Sequence, residues 1–197
     1  MGQEKVSELS DVTSSLKDSI ETAELQFALL DVLKPEVACN YMISSANELG
    51  KKSDELASEV ERYENSQKID DISFAALKKE YTITLIRDWI TVEKIKKACQ
   101  GDYLTILYFY SNKNCEHCKD QGIVLTYVKD VLKDNVMIFS LDTDLDSITV
   151  NSLRDSFGIT EYPSIVVEDK VLNGFTSLEE ITKILCDYKS TSDLCVS

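Results

Sequence analysis

Residues 104–132 read LTILYFYSNKNCEHCKDQGIVLTYVKDVL, and this stretch determines how the surrounding chain folds. Its first seven residues, 104–110, form an apolar run of the length of a buried β-strand. Residues 115–132 have the apolar spacing of a helix. Cys115 and Cys118 therefore lie where a strand is followed by the start of a helix.

The position of these two cysteines indicates redox chemistry. The first turn of a helix offers free backbone N–H groups and a partial positive charge, and both stabilise a thiolate. Two intervening residues place Cys118 about one turn away, close enough to attack a mixed disulfide formed by Cys115. We predict that Cys115 attacks and is the more exposed thiol with the lower pKa, whereas Cys118 is buried behind it and resolves the intermediate.

The chain after residue 132 continues with short β-rich runs and helical segments, which is typical of an α/β domain. The predicted order from residue 104 onward is βαβ, α, ββα. The elements that follow the first strand and helix are a strand at 136–141, a helix at 147–157, a tight pair of strands at 164–168 and 170–172, and a helix at 177–188.

This part of the chain resembles the thioredoxin superfamily, because several of the superfamily's landmarks occur in order. The CEHC motif matches the superfamily's C-x-x-C pair. The resemblance implies a thioredoxin fold with a central mixed sheet for residues 101–188. The further landmarks are Leu141-Asp142-Thr143-Asp144, Phe157-Gly158-Ile159, Tyr162-Pro163-Ser164 and Gly174.

The resemblance also implies the roles of individual residues. Pro163 corresponds to the proline whose cis peptide bond faces the cysteines, and the Tyr162 backbone is then free to pair with an extended substrate segment. His117 is similar to the histidine in protein disulfide isomerases and periplasmic disulfide oxidants. Its imidazole is expected to stabilise the Cys115 thiolate, whereas Glu116 adds a like charge that works against it.

Three features depart from the thioredoxin pattern. Asn114 stands where thioredoxins usually have tryptophan, and the loop 111–114 is one residue longer than usual. The buried carboxylate that assists proton transfer in thioredoxins has no clear equivalent. Its place falls on Tyr108 if the longer loop is allowed for, and on Phe109 if it is not.

Residues 1–100 have a different sequence pattern, with one proline, two glycines and apolar residues that recur three and four positions apart. This pattern predicts an almost wholly helical region, arranged as a helical hairpin or a three-helix bundle. The helices are expected from Val6 to Leu30, from Pro35 towards Tyr63, and after Asp71. A domain boundary is predicted between this region, 1–100, and the thioredoxin-like domain, 101–197.

Four further cysteines leave two interpretations open. Cys39, Cys99, Cys186 and Cys195 are either buried free thiols or two structural disulfides, Cys39 with Cys99 and Cys186 with Cys195. The disulfides would indicate an extracytoplasmic compartment or an unusually oxidised cytosol, and we favour an extracytoplasmic or membrane-anchored soluble domain over a cytoplasmic one. A zinc site is disfavoured because the chain lacks a second C-x-x-C motif or a histidine pair. We predict no metal and no cofactor other than the redox-active disulfide.

The net charge of −14 is unfavourable for binding nucleic acid, and no apolar run is long enough to span a bilayer. The membrane is expected to matter only if the native protein has an N-terminal anchor that this sequence lacks. We predict a thiol-disulfide oxidoreductase that acts on protein thiols and disulfides, with a redox partner protein and a helical region that supplies dimerisation, a substrate-facing surface or a spacer. The alternative is a non-catalytic interaction protein with a thioredoxin-like platform and a helical bundle.

Overall fold

The computed structural model describes residues 28–29, 32–64, 71–99, 101, 103–189 and 195. The first predicted helix, from Val6 to Leu30, lies almost wholly outside these residues. The described elements, in chain order, are α1 (Pro35–Glu64), α2 (Asp71–Cys99), β1 (Leu104–Tyr110), α3 (Cys118–Leu132), β2 (Val136–Asp142), α4 (Ile148–Ser156), β3 (Ser164–Val167), β4 (Lys170–Asn173) and α5 (Leu178–Tyr188).

The four strands form one mixed sheet in the order β2-β1-β3-β4. β1 pairs with β2 in parallel, and β3 pairs antiparallel with both β1 and β4. The order βαβ, α, ββα is therefore confirmed. In this order β2 and β4 are the edge strands, and β1, which leads into the cysteine motif, is internal.

Alternate residues of β1 point to opposite faces of the sheet and define two apolar layers. Ile106 and Tyr108 pack on one face with residues of α3 and α5. Leu107 and Phe109 pack on the other face with residues of α2 and α4. The cysteine helix α3 and the last helix of the amino-terminal region, α2, therefore cover opposite faces of the sheet.

Helix α2 belongs to the same apolar core as the sheet. Leu85, Ile86 and Val92 are buried against it, and Trp89 contacts Phe157 with ring centroids 6.3 Å apart. The end of α2 is also tied down, because the Lys96 ammonium lies 2.6 Å from a Glu168 carboxylate oxygen. The apolar core thus continues across position 101, where the boundary between 1–100 and 101–197 was predicted.

The other face of α2 packs against α1 in a helical hairpin. Cys39 near the start of α1 is disulfide-bonded to Cys99, the last residue of α2, and the two Cα atoms are 5.6 Å apart. Further along, the Lys52 ammonium pairs with the Glu80 carboxylate at 3.3 Å. Residues Pro35–Glu64 and Asp71–Cys99 are helical throughout, as the apolar spacing predicts.

Several boundaries predicted for residues 104–188 differ from the observed ones by one to three residues, and two of these differences have a clear backbone cause. The helix predicted at 115–132 begins at Cys118, because His117 has non-helical backbone angles and is its N-cap. The strand predicted at 164–168 ends at Val167, because Glu168 has a φ of 57° and starts the turn to β4. The Glu168 carboxylate holds this turn against β1 by accepting from the backbone N–H of Thr105 at 2.7 Å.

Two carboxylates face each other where α1 meets α2. Burial, and to a smaller extent the nearby Asp54 carboxylate, raise the pKa of Asp88 from its ordinary 3.8 to about 6. Burial, and then Asp54, also raise the pKa of the Tyr81 hydroxyl. Charge on Asp88 is therefore unfavourable in the folded protein.

Asp88→Asn is expected to stabilise the protein at pH 7. The pKa of Asp88 is higher in the folded chain, so its contribution is most favourable below about pH 4 and is lost as pH rises through about 6. The carboxyl is partly open to solvent, and we therefore expect a gain of only about 1 kcal/mol at pH 7 that disappears below about pH 4. Urea unfolding at both pH values measures it, with the exposed Asp134→Asn as control. A variant less stable than the parent at pH 7 would contradict this prediction.

Candidate functional site

Cys115, in the loop between β1 and α3, forms a disulfide with Cys118, and their Cα atoms are 5.5 Å apart. Cys118 is the first residue of α3 and is 8% exposed, whereas Cys115 precedes the helix and is partly exposed. The first backbone hydrogen bond of the helix runs from the Gln121 N–H to the His117 carbonyl at 2.9 Å. Cys115 is therefore the more accessible of the two cysteines.

The approach to Cys115 is held by the Asp144 carboxylate. It accepts from the Ser111 hydroxyl at 2.8 Å and from the backbone N–H of Asn112 at 2.7 Å and of Lys113 at 3.1 Å. The Ser111 hydroxyl in turn accepts from the backbone N–H of Asn114 at 3.1 Å. The longer loop 111–114 is thus an ordered turn, in which side chains satisfy the backbone donors.

A second carboxylate, Asp142 at the end of β2, connects this loop to α2. Its side chain is 5% exposed and accepts from the Lys78 ammonium at 2.8 Å. It also accepts from the Asn112 side-chain amide at 3.0 Å. Asp142 and Asp144 both belong to the motif Leu141-Asp142-Thr143-Asp144 identified in the sequence. Their position at the end of a strand was the feature of the sequence that indicated a role in holding the neighbouring loop.

His117 lies on the exposed side of the motif. Its Nδ1 is 3.2 Å from a carboxylate oxygen of Asp120, one turn later. Its ring is also 5.9 Å from the ring of Phe175, which is 44% exposed. Phe175 was not predicted as a site residue, and its exposed aromatic ring is an apolar surface beside the cysteine motif.

The segment that carries Phe175 is fixed to α3 by Gln121. This side chain is fully buried, and its amide oxygen accepts from the backbone N–H of Thr176 at 2.8 Å. Gly174 has a φ of +83°, a conformation that glycine adopts at little cost. The turn 174–176 is therefore held in place by a hydrogen bond to α3, with Phe175 next to His117.

Tyr108 lies next to Cys118, at the position that the buried carboxylate has in thioredoxins. Its hydroxyl donates to the Cys118 carbonyl at 2.6 Å, whereas Phe109 points to the opposite face of the sheet. Burial raises the pKa of Tyr108 to about 12. This hydroxyl keeps its proton at neutral pH, so it can orient the start of α3 but does not replace a carboxylate as proton acceptor.

The peptide bond between Tyr162 and Pro163 is cis. Pro163 is buried and directly precedes β3, and Tyr162 is half-buried and packs on the same apolar layer as Phe109. β3 lies beside β1, the strand that leads into the cysteine loop. The segment Tyr162-Pro163-Ser164 therefore enters the sheet next to the strand that precedes the motif.

The strand order, the helices on both faces and the cysteine pair before α3 together define the architecture. The carboxyl-terminal part of the chain has a thioredoxin fold. The fold expected from the CEHC motif and the other landmarks is thereby confirmed.

No protein-family model matches the sequence, and no curated protein does either. Solved thioredoxin structures match the fold. One is thioredoxin-2, a component of the malaria parasite protein secretion machinery, whose sequence is 18% identical to this chain. The alignment has a TM-score of 0.37 and covers 43% of this chain and 82% of thioredoxin-2. The germline-specific thioredoxin Deadhead from Drosophila melanogaster is 16% identical to this chain, with a TM-score of 0.39. The alignment covers 52% of this chain and 92% of Deadhead. Chloroplastic thioredoxin z is 19% identical to this chain, with a TM-score of 0.39. The alignment covers 50% of this chain and 89% of thioredoxin z.

The remaining cysteines are paired rather than free. Cys39 is bonded to Cys99, as described above, and Cys186 near the end of α5 is bonded to Cys195 with Cα atoms 5.7 Å apart. Within the described part of the chain, no cluster of three or more histidine, cysteine or acidic side chains is placed to hold a metal ion. Nor does any described helix combine the length and the apolar character needed to cross a membrane.

Proposed function

We propose that this protein is a thiol-disulfide oxidoreductase that exchanges disulfides with protein substrates through its Cys-Glu-His-Cys centre. One observation carries the proposal. The two cysteines that precede and begin α3 form a disulfide in which Cys115 is partly exposed and Cys118 is buried. This asymmetry is what an attacking and a resolving cysteine require.

The exchange proceeds in two balanced steps when the protein acts as a reductant. The Cys115 thiolate attacks a substrate disulfide, which forms a mixed disulfide and expels one substrate thiolate. The Cys118 thiolate then attacks the Cys115 sulfur, which forms the Cys115–Cys118 disulfide and releases the second substrate thiolate. Oxidation of a substrate dithiol is the reverse sequence, and a redox partner protein restores the starting state in either direction.

Groups around the motif would serve the two steps in different ways. The exposed rings of His117 and Phe175 provide a surface for the substrate, and the free backbone of Tyr162 beside Pro163 would pair with an extended segment of it. His117 stabilises the Cys115 thiolate, and Glu116 opposes this effect. No cofactor other than the disulfide takes part.

One observation favours the second candidate function, a non-catalytic interaction protein. Tyr108, with a pKa of about 12, lies against the Cys118 carbonyl, where a thioredoxin would have a proton-accepting carboxylate. Deprotonation of the Cys118 thiol would then depend on water. This arrangement therefore favours slow thiol-disulfide exchange at neutral pH, with a rate that increases steeply at higher pH.

The reduction potential of the Cys115–Cys118 pair separates the two functions. The protein is equilibrated with glutathione mixtures, quenched by alkylation and analysed by mass spectrometry. An exchange-competent pair gives a two-electron transition between about −120 and −270 mV. A pair that stays oxidised at all these potentials, together with no turnover of insulin disulfides, would support the interaction protein instead.

Replacing His117 by Gln is expected to make the disulfide less oxidising. The change removes the imidazole that we propose stabilises the Cys115 thiolate, and the loss of one charge-assisted contact would correspond to roughly 30 mV. Glutamine is preferable to proline here, because His117 has a φ of −109° and proline would require about −65°. Glu116→Gln deletes a like charge and is expected to shift the potential in the opposite direction. Equal potentials in both variants and the parent would show that neither residue tunes the thiolate.

A further inference from the structure

A groove runs along the free edge of the sheet. It has a volume of about 490 Å³ and its floor is the edge strand β2, from Met137 to Ser140. One wall is formed by α1 and α2, and the other is formed by α3. We call it the β2 groove.

The backbone of β2 is paired on one side only. Each residue from Val136 to Asp142 is aligned with a residue of β1, and no other described strand lies beside β2. Within the described part of the chain, the one hydrogen bond from outside the sheet to the backbone of β2 is from the Lys129 ammonium to the Val136 carbonyl at 2.9 Å. Unpaired N–H and C=O groups on a strand edge are a template for another strand.

The α1 and α2 wall carries the two facing carboxylates, Asp54 and Asp88. Among the described residues neither has a cationic side chain within 4 Å, and nothing lowers the pKa of Asp88 from its raised value. The lysine of the opposite wall, Lys129, is engaged with the Lys133 and Val136 carbonyls. The lining therefore has two carboxylates and one ammonium, and neither carboxylate has an ion-pair partner among the described residues.

A third group in the groove is also unsatisfied. Ser53, next to Asp54 on α1, is only 7% exposed, and its buried hydroxyl has no hydrogen-bond partner within the described structure. A buried hydroxyl without a partner is costly and uncommon in folded proteins. A polar ligand in the groove would remove that cost.

We propose that the β2 groove binds an extended, basic segment of another polypeptide, which adds a strand to the sheet and places a lysine or arginine between Asp54 and Asp88. The unpaired edge provides backbone hydrogen bonds, the carboxylates select a cationic side chain, and the Ser53 hydroxyl accepts or donates one further bond. The four floor residues correspond to about 13 Å of extended chain. The net charge of −14 attracts a basic segment at long range.

The groove lies beside the redox centre without including it. Tyr108 lines the groove and donates to the Cys118 carbonyl, and Gly122 in the groove is one turn of α3 beyond Cys118. A segment held here would keep its parent protein close to Cys115. The binding itself involves no thiol, so it is independent of the proposed exchange activity and can be measured on the fully oxidised protein.

The test uses the full chain in its oxidised state and a blocked peptide that alternates valine and threonine around one central arginine. Fluorescence anisotropy gives the affinity, and backbone amide NMR signals locate the peptide. Shifts are expected at residues 137–140. Exchanging arginine for glutamate in the peptide, or N-methylating its backbone, is expected to weaken binding at least about tenfold.

Variants of the protein give a matched comparison. Asp54→Asn with Asp88→Asn is expected to weaken binding about tenfold, and Ser53→Ala about threefold. The control Glu61→Gln with Asp134→Asn removes the same number of charges from exposed positions outside the groove, and its affinity should stay within about twofold of the parent. Circular dichroism checks that each variant is folded.

Three results would overturn the proposal. One is equal weakening in the groove variant and the control, because overall charge would then explain the binding. Another is binding that leaves the 137–140 signals unchanged. The third is an edge already occupied, shown by sedimentation of a dimer or by slow hydrogen exchange of β2 amides without peptide, together with no peptide binding.

Discussion

Cys115→Ser is expected to reduce disulfide exchange with a protein substrate by about 10³-fold or more, because it removes the attacking sulfur. Cys118→Ser is expected to stop the reaction one step later. The mixed disulfide at Cys115 can still form, since Cys115 is partly exposed, but no sulfur lies behind it to release the substrate. Covalent complexes should therefore accumulate in Cys118→Ser and be absent in Cys115→Ser.

Turnover is measured by insulin reduction, and complexes are counted by mass spectrometry after acid quenching. The double replacement Cys186→Ala with Cys195→Ala is the matched control, because it removes a disulfide outside the motif. The control should keep the parent's turnover. Complexes that accumulate in Cys115→Ser instead would reverse the assignment of the two cysteines, and equal activity in all variants would remove the motif from the reaction.

The sequence determined the sheet because its strands are short apolar runs bounded by clear breaks. Residues 104–110 were predicted as a strand, and β1 has these bounds. The alternation within β1 also decides between Tyr108 and Phe109 as the residue next to Cys118, but only once the register with β2 and β3 is known. A run that is apolar on both faces does not reveal which face α3 covers.

The position of α2 could not be predicted for a related reason. Its apolar residues surround most of the helix, so the spacing indicates a buried helix without naming its neighbours. Leu85 and Val92 pack on the sheet, while other faces meet α1. The β2 groove was missed as well, since Ser53, Asp54 and Asp88 come together only when α1 and α2 pack beside β2.

The largest expected effect on stability concerns the disulfide between Cys39 and Cys99. These residues are 60 positions apart, whereas Cys186 and Cys195 are 9 apart. A cross-link restricts the unfolded chain more when it closes a longer loop, and the chain-entropy relation gives about 4 kcal/mol for the first and about 2.5 kcal/mol for the second. Cys39→Ala with Cys99→Ala should therefore lower the free energy of unfolding more than Cys186→Ala with Cys195→Ala.

The structure adds a second reason for this order. The Cys39–Cys99 disulfide joins the start of α1 to the end of α2, and α2 is part of the sheet's core through Leu85 and Val92. Losing it loosens the attachment of α1, whereas the second disulfide joins Cys186 of α5 to Cys195, nine positions later. Urea unfolding of both double variants, with the Cys115–Cys118 pair kept oxidised, gives the two free energies. A larger loss from the Cys186–Cys195 replacement would show that loop length and core attachment do not govern the stability of this chain.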